Sequence, residues 1–394
     1  MVKSELFRFL RNTKNRVLLF FVCIYPFIFV TSIYFQSYSY MKSQGELHMN
    51  QSRIANIRAL TLERGSEDDI LKNRKELVKF FKEISINELS AGKFYASDIE
   101  KNYHFINTSL KKVYLLYLEA LHNGLIDEHI ISELGYTQTD LTVNAFYTNY
   151  LEENVENISL NFYDLKGVNG IKLFLSGENI LVLMILLILL LSDIYIKDLL
   201  EGSYKLIYTL SFSRWKIFKA KWLISVSVLL STVFYNMIII FLLTTIIGGI
   251  GDLEYPLISK VLYFDLIEFN NTDFYLIPLW RYILYGILQL IVSAIALITS
   301  IIYCSIRLNS LKKTIGVGFI SLFMVLLINS IMPEHTYMRV IYPFSYLYIE
   351  NLVNINTYVN WFFGLVMNST FILVLLIFSY FSLVNLDLNG TIKD

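Results

Sequence analysis

The sequence predicts an all-α polytopic membrane protein, with six transmembrane helices and a mainly helical extracellular domain between helices 1 and 2. Three observations lead there. Of 394 residues, 55% are hydrophobic and only 17% charged, with a mean hydropathy of +0.52; a soluble domain carries about 25% charged residues. The charge deficit is concentrated in apolar stretches of roughly 20 residues, the length needed to cross ~30 Å of hydrocarbon at ~1.5 Å per residue. The basic residues flanking these stretches switch sides at each crossing. Lys plus Arg and Asp plus Glu both number 33, so no basic surplus points to nucleic acid. Two cysteines, Cys23 and Cys304, cannot form a disulfide framework and read as small apolar packing residues. No alternating apolar and polar strands recur, which argues against an outer-membrane barrel.

Residues 1–16 form a short amphipathic start, with Leu6, Phe7, Phe9 and Leu10 set among Arg8 and Arg11. The spans follow at Val17–Phe35, Leu173–Ile196, Trp222–Ile247, Leu279–Ile306, Ile315–Met332 and Trp361–Val384. The second is interrupted by Gly177 and Glu178 and carries Asp193 near its end, although Ile180–Leu191 is wholly apolar. The first is too long for the apolar region of a signal peptide and is followed by Gln36-Ser37-Tyr38 instead of a small-residue cleavage site, so it reads as a retained anchor.

Orientation comes from the loops. Lys3, Arg8, Arg11, Lys14 and Arg16 precede the first span, Lys197, Lys205, Arg214, Lys216, Lys219 and Lys221 follow the second, and Arg307, Lys312 and Lys313 follow the fourth. The alternate loops are poor in basic residues, with Asp252, Glu254, Asp265, Glu268 and Asp273 facing a single Lys260. Both termini, including the tail 385–394, are therefore expected in the cytoplasm of a cell whose plasma membrane holds the chain. The four tryptophans, Trp215, Trp222, Trp280 and Trp361, sit at or near span ends, where amphipathic rings belong.

The extracellular domain, residues 37–175, shows three helical stretches. Ser66 resembles a capping start before Leu71, Leu77, Val78, Phe81 and Ile84; Ser109 opens a second stretch that Gly124 stops; Asp140 caps a third. Its charges are mixed, and it holds no catalytic constellation. His122 and His129 lack a third ligand in a metal-binding spacing and read as solvated.

The informative segment is the cytoplasmic loop 197–221. Physically it is a short amphipathic stretch, then Ser213 as an N-cap, then a basic–aromatic run (Arg214, Trp215, Lys216, Phe218, Lys219, Lys221) suited to lipid phosphates and to the membrane interface. Its spacing also resembles the hallmark loop of ABC-2 type permeases, the membrane subunits of ATP-binding cassette exporters. Glu201 and Gly202 match the opening Glu and Gly, Leu206 and Ile207 the apolar pair, Ser213-Arg214 the Ser-Arg step, and Ile217 and Lys221 the closing positions. Ser203 stands where the family has Thr, keeping a hydroxyl, and Ser211 where it has Pro. The amphipathic start is similar to the family's interfacial elbow helix, and six spans with both ends inside is its topology. The resemblance covers most of the chain but not the extracellular domain.

The resemblance implies a non-catalytic permease whose loop is a coupling helix docking on a separate ATPase. That partner binds ATP and Mg, since this chain has no phosphate-binding loop, metal site or cofactor motif. It implies a second permease, identical or a sister, beside the first, and an amphipathic or lipophilic cargo such as a peptide, antibiotic or lipid. Antimicrobial peptides are the analogy for a chain with the Ile-, Asn- and Lys-rich usage of a low-GC bacterium. Midway along the spans the polar residues are amides, Asn236, Gln289, Asn329 and Asn368, which read as candidates for the substrate path and also as hydrogen bonds between helices. Two alternatives remain open. An ion-coupled secondary transporter would want charges there, and an accessory, immunity or sensor protein would not transport at all.

The charge alternation makes a direct prediction. On a background free of Cys23 and Cys304, an impermeant thiol reagent applied to intact cells labels Ser90→Cys. It labels Ser203→Cys only after permeabilisation, and labelling at Ser203→Cys from outside would reverse the orientation.

Overall fold

The computed structural model describes residues 2–64, 71–96, 103–154, 163–176, 178–197, 213–259, 275–308, 310–332, 337–349 and 361–384. They divide into two compact units, one holding Met1–Thr31 and the described residues from Leu165 onward, the other Ser32–Asp164. The chain is a multi-pass membrane protein. Among the described residues, five helices are each long and apolar enough to span a bilayer, and a bent helix pair makes a sixth if counted as one span.

In the first unit, α1 (Val2–Arg11) is separated from α2 (Thr13–Arg64) at Asn12. The break is held by side chains: Asn12 Oδ1 accepts from the Lys14 N–H at 3.2 Å, and Asn15 Nδ2 donates to the Phe9 carbonyl at 3.1 Å. Helix α2 runs on well beyond the expected span end at Phe35 and tolerates Pro26 within it. Nothing stops it there, because the residues after Phe35 are polar but competent helix formers with no glycine before Gly45.

The second predicted span is the bent pair, α7 (Gly167–Leu175) and α8 (Asn179–Leu191), meeting at 66°. Helix α7 belongs to the first unit, so the second unit ends at Asp164 and not at 175. The cause is close approach to α9 (Arg214–Gly248): Gly167 and Gly170 lie so near Thr245 and Thr244 that a Cβ would collide with either threonine. The first amides of α7, on Gly167 and Val168, donate to the carbonyls of Gly249 and Ile250, both at 2.9 Å. Gly249 and Gly251 turn the chain with φ of 84° and 89°, values that only glycine adopts without strain.

A short antiparallel ribbon qualifies the all-α expectation: β1 (Pro256–Ser259) pairs with β2 (Tyr275–Pro278), Pro256 opposite Pro278. It leads into α10 (Leu279–Leu308), whose first amides on Leu279 and Trp280 donate to Tyr255 and Leu253 carbonyls. Then come α11 (Leu311–Ile331), α12 (Tyr337–Ile341), a 3-10 turn at Pro343–Leu347 and α13 (Trp361–Val384). Helix α10 packs along α13, with Tyr285 and Trp361 stacked at 4.5 Å and Gly364 set against Gln289 and Tyr346.

The second unit is helical: the distal part of α2 with α3 (Leu71–Ala96), α4 (Tyr103–His122), α5 (Glu128–Glu133) and α6 (Gln138–Asn154). Its core gathers Ile84, Ile106, Val113, Tyr117, Ile131 and Leu141. Ser66 lies outside the described residues. Ser109 is a buried interior residue of α4, which begins earlier, at Tyr103. Gly124 does end α4, with φ of 64°. Thr137, not Asp140, stands at the N-cap of α6, and Asp140 completes a reciprocal box from the first turn: it accepts from Thr137 N and Oγ1, while Thr137 Oγ1 accepts from the Asp140 N–H at 3.1 Å. His122 and His129 are exposed.

His48 differs from them. It is 3% exposed, with Nδ1 2.6 Å from Glu88 Oε2 and its ring stacked on Tyr95. The Tyr136 hydroxyl reaches both Glu88 Oε1 and Gln51 Oε1, and Gln51 Nε2 donates to the Leu134 carbonyl at 2.8 Å. Burial, reinforced by the Glu88 carboxylate, pushes the Tyr117 and Tyr136 hydroxyls well above the usual phenol range.

Two glycines separate contact from propensity. A Cβ on Gly248 would fall on the backbone carbonyl of Leu165, while one on Gly316 meets nothing within 4 Å. Gly248→Ala is expected to lower the thermal stability of the detergent-solubilised chain by about 1–3 kcal/mol. Gly316→Ala should leave it equal or raise it by up to about 1 kcal/mol.

Candidate functional site

The cluster that holds the loop-derived residues is built at the start of α9. Glu201, Gly202, Ser203, Leu206 and Ile207 lie outside the described residues. Ser213 is in place as the N-cap, in extended backbone, its hydroxyl accepting from the Lys216 N–H. The next residues divide by helical period. Ser213, Lys216 and Lys219 are exposed, while Ile217, Phe218 and Lys221 are buried at 3%, 1% and 2% exposure.

Each buried or half-buried member fastens α9 to another helix end. Arg214 Nη1 donates to the Leu383 carbonyl at 3.1 Å, in the last turn of α13, where a cation also complements the helix dipole. Trp215 lies parallel to Phe218 at 4.9 Å and edge-on to Tyr380 at 5.3 Å, with Lys219 over its face. Lys221 Nζ donates to the Ile194 carbonyl at 3.1 Å and sits 4.9 Å above the Tyr195 ring. Its burial is tolerable because the ammonium has a carbonyl and a π-face within reach.

Just before Ile194, Asp193 draws in the α1–α2 junction. Lys14 Nζ lies 2.9 Å from its carboxylate, and Asn12 Nδ2 donates to the same oxygen at 3.3 Å. The lysine contact is one of charge more than of an aligned hydrogen bond. The result is a polar collar in which α1, α2, the end of α8, the start of α9 and the end of α13 are joined by side chains. Sequence reading treated Asp193 only as an irregularity near a span end. The available signal was a lone carboxylate there, facing a basic segment before the first span.

The midplane amides do not form one site. Asn236 and Asn329 donate to carbonyls of their own helices, Thr232 and Val325. Gln289 and Asn368 are brought together across the α10–α13 seam, both donating to Ser293 Oγ at 2.9 and 3.0 Å. Asn236, Gln289 and Asn368 are fully buried within the unit. The Asn368 bond joins α13 to α10, the Gln289 bond stays within α10, and the side chains of Asn236, Gln289 and Asn368 are all enclosed in a single copy of the chain. Among the described residues, no group of His, Cys, Asp or Glu side chains gathers as metal ligands would.

No family model matches the chain, and no curated protein or solved structure matches it. The functional reading therefore rests on the residues and their geometry.

The collar predicts an energetic coupling. Lys14→Met and Asp193→Asn should each destabilise the chain, and their double-mutant cycle should return a favourable interaction on the order of 1 kcal/mol. The magnitude is modest because the Lys14 side chain is 36% exposed and so screened by solvent. A coupling of zero would remove Asp193 from the collar.

Proposed function

We propose that the chain is the permease subunit of an ABC-2 type exporter, moving an amphipathic or lipophilic cargo with energy from a separate ATPase. In this reading the bent pair is one span, both termini are cytoplasmic and the second unit lies outside the cell. A second permease completes the path. The observation that carries the proposal is the spaced set Glu201, Gly202, Ser213, Arg214, Ile217 and Lys221, whose last members head α9 and are bonded to the ends of α8 and α13.

The mechanism follows from that geometry. An ATPase that closes against loop 197–221 pushes on a segment whose exit is not a hinge but a bolted joint. Arg214 passes the displacement to α13, Lys221 to α8, and Asp193 onward to α1 and α2. The exposed Ser213, Lys216 and Lys219 are the part of this joint available to the partner, while Ile217, Phe218 and Lys221 transmit from within. Catalysis of ATP hydrolysis and the binding of Mg belong to the partner. The cargo would travel between two permease copies, consistent with midplane amides buried inside one.

The experiment isolates the docking half of the loop. Arg214 also caps α13, so Glu201→Ala is the informative substitution. If Glu201 meets a cation in a desolvated groove, its loss costs about 2–5 kcal/mol. Affinity capture from native membranes should then recover the ATP-binding cassette partner at least tenfold less well and transport should cease, with insertion of the permease unchanged. If the loop is only an interfacial anchor, the remaining Lys216, Lys219 and Lys221 suffice, and capture and transport stay at wild-type levels; that outcome would overturn the proposal.

A further inference from the structure

The break between α7 and α8 holds a carboxylate with no partner. Glu178 is the N-cap residue of α8, yet its side chain makes no capping hydrogen bond. It is exposed, and among the described residues no donor or cation pairs with it. We propose that Glu178 heads a binding site for an amphipathic organic cation. The cationic group, such as a protonated amine, meets the carboxylate, and the apolar body lies along the exposed stripe of α8 that follows, Val182 and Ile185.

Contacts on two sides bracket the level of this carboxylate. The Tyr25 hydroxyl donates at 2.7 Å to the carbonyl of Asn179, the residue next to Glu178. Tyr25 stands about 16 Å along α2 from Lys14 at ~1.5 Å per residue, and Lys14 is paired with Asp193 in the collar. From the other end, a Cβ on Gly286 would lie 3.2 Å from Leu175 Cδ1, in the last turn of α7. Gly286 is about 9 Å along α10 from Trp280, a tryptophan at the head of that span, where such rings mark the interface. Glu178 follows Leu175 across the break. It therefore stands between the collar and the tryptophan, within the ~30 Å that hydrocarbon occupies.

A carboxylate at that level is costly against lipid chains, and such residues face a polar cavity or meet a cation. Interrupted helices are also where transporters built on them place ligand-binding groups. The dipole of α8 favours a negative charge at its N-terminus, but it gives the carboxylate oxygens no hydrogen-bond partner. The charge of the ligand follows. An anion is repelled, a neutral molecule leaves the carboxylate uncompensated, and a cation completes it. The body of the ligand follows from Val182 and Ile185, 45% and 37% exposed, which continue from Glu178 along one face of α8 at helical spacing. The inference deepens the permease reading, on which the role of this cation as cargo rests. Binding itself needs no ATPase, so the two can fail separately.

The test uses the full chain purified in a neutral detergent, with tetraphenylphosphonium and tetraphenylborate as probes, ions of one shape and opposite charge. Equilibrium dialysis should show saturable binding of the cation to the chain and not of the anion. Glu178→Gln, which keeps the size and removes the charge, should weaken cation binding about tenfold, and Glu178→Asp should stay within about threefold of wild type. Val182→Trp, which crowds the stripe from an exposed position, should weaken binding with the charge intact. Equal binding of both ions by the wild-type chain would overturn the proposal. So would wild-type cation binding by a folded Glu178→Gln whose melting temperature alone has dropped, the result that a purely dipole-capping role predicts. Should Glu178→Gln fail to fold, the comparison of the two ions and Val182→Trp still decide.

Discussion

Inside hydrocarbon no water meets a backbone N–H or C=O, so every such group must find its partner within the protein. That constraint makes the first unit helical, and it is most visible where a helix stops. Between α7 and α8 the helix is interrupted, and side chains take over the work of the ladder. Asn179 Nδ2 donates back to the carbonyls of Leu173 and Ser176, the Ser176 hydroxyl donates to Leu173, and the Tyr25 hydroxyl of α2 donates to the Asn179 carbonyl at 2.7 Å. At the other end of α7, carbonyls of the segment after α9 accept its leading amides. The bend is thus tied on both sides to neighbouring helices, α2 and α9.

Small residues make that exchange possible. The carbonyls of Gly249 and Ile250 reach α7 only because Gly167, Gly170 and Gly248 let two backbones approach without intervening side chains. Helix association in a membrane has little hydrophobic drive, and close backbone approach with polar bridging supplies what water would otherwise supply. The α10–α13 seam uses the same device, with Gly364 admitting Gln289 and with Ser293 receiving two amides.

What the sequence made legible follows from dimensionality. Span length and charge asymmetry are properties of the chain read in order, so the ends of α10, α11 and α13 fall within a few residues of expectation. Caps written locally were legible too, as at Ser213 and Gly124. Partners distant in sequence were not. The acceptor of Arg214 lies 169 residues away, and nothing near Arg214 announces it. His48 and Glu88 look like surface residues until α2 and α3 bring them together in the core. Residues 167–172 fall, in the chain read in order, before the apolar run of the second span that begins at Leu173. Close approach to Thr244 and Thr245 places Gly167–Leu175 in the first unit, beside α9.

These connections also decide how a displacement can spread. Helix α9 is bonded to α13 through Arg214 and Trp215, and α13 is joined to α10 over an extensive seam fixed by Asn368, Ser293 and the Tyr285–Trp361 stack. A shift at the start of α9 therefore carries α13, and with it α10. Through Lys221 and Asp193 it also carries the end of α8 and the α1–α2 junction. Helix α11 joins that set by packing and not through the collar. It contacts α8, α10, α12 and the 3-10 turn, and Phe319, Ile320 and Phe323 on it are exposed. Packed interiors respond to a push by moving as blocks and not by deforming continuously. The elements that a shift at the start of α9 would carry through side-chain bonds are accordingly the end of α8, the α1–α2 junction, α13 and α10. Helix α11 is held to them by packing on α8 and α10 and by the Tyr342 hydroxyl, which donates to the Ser321 carbonyl at 2.8 Å.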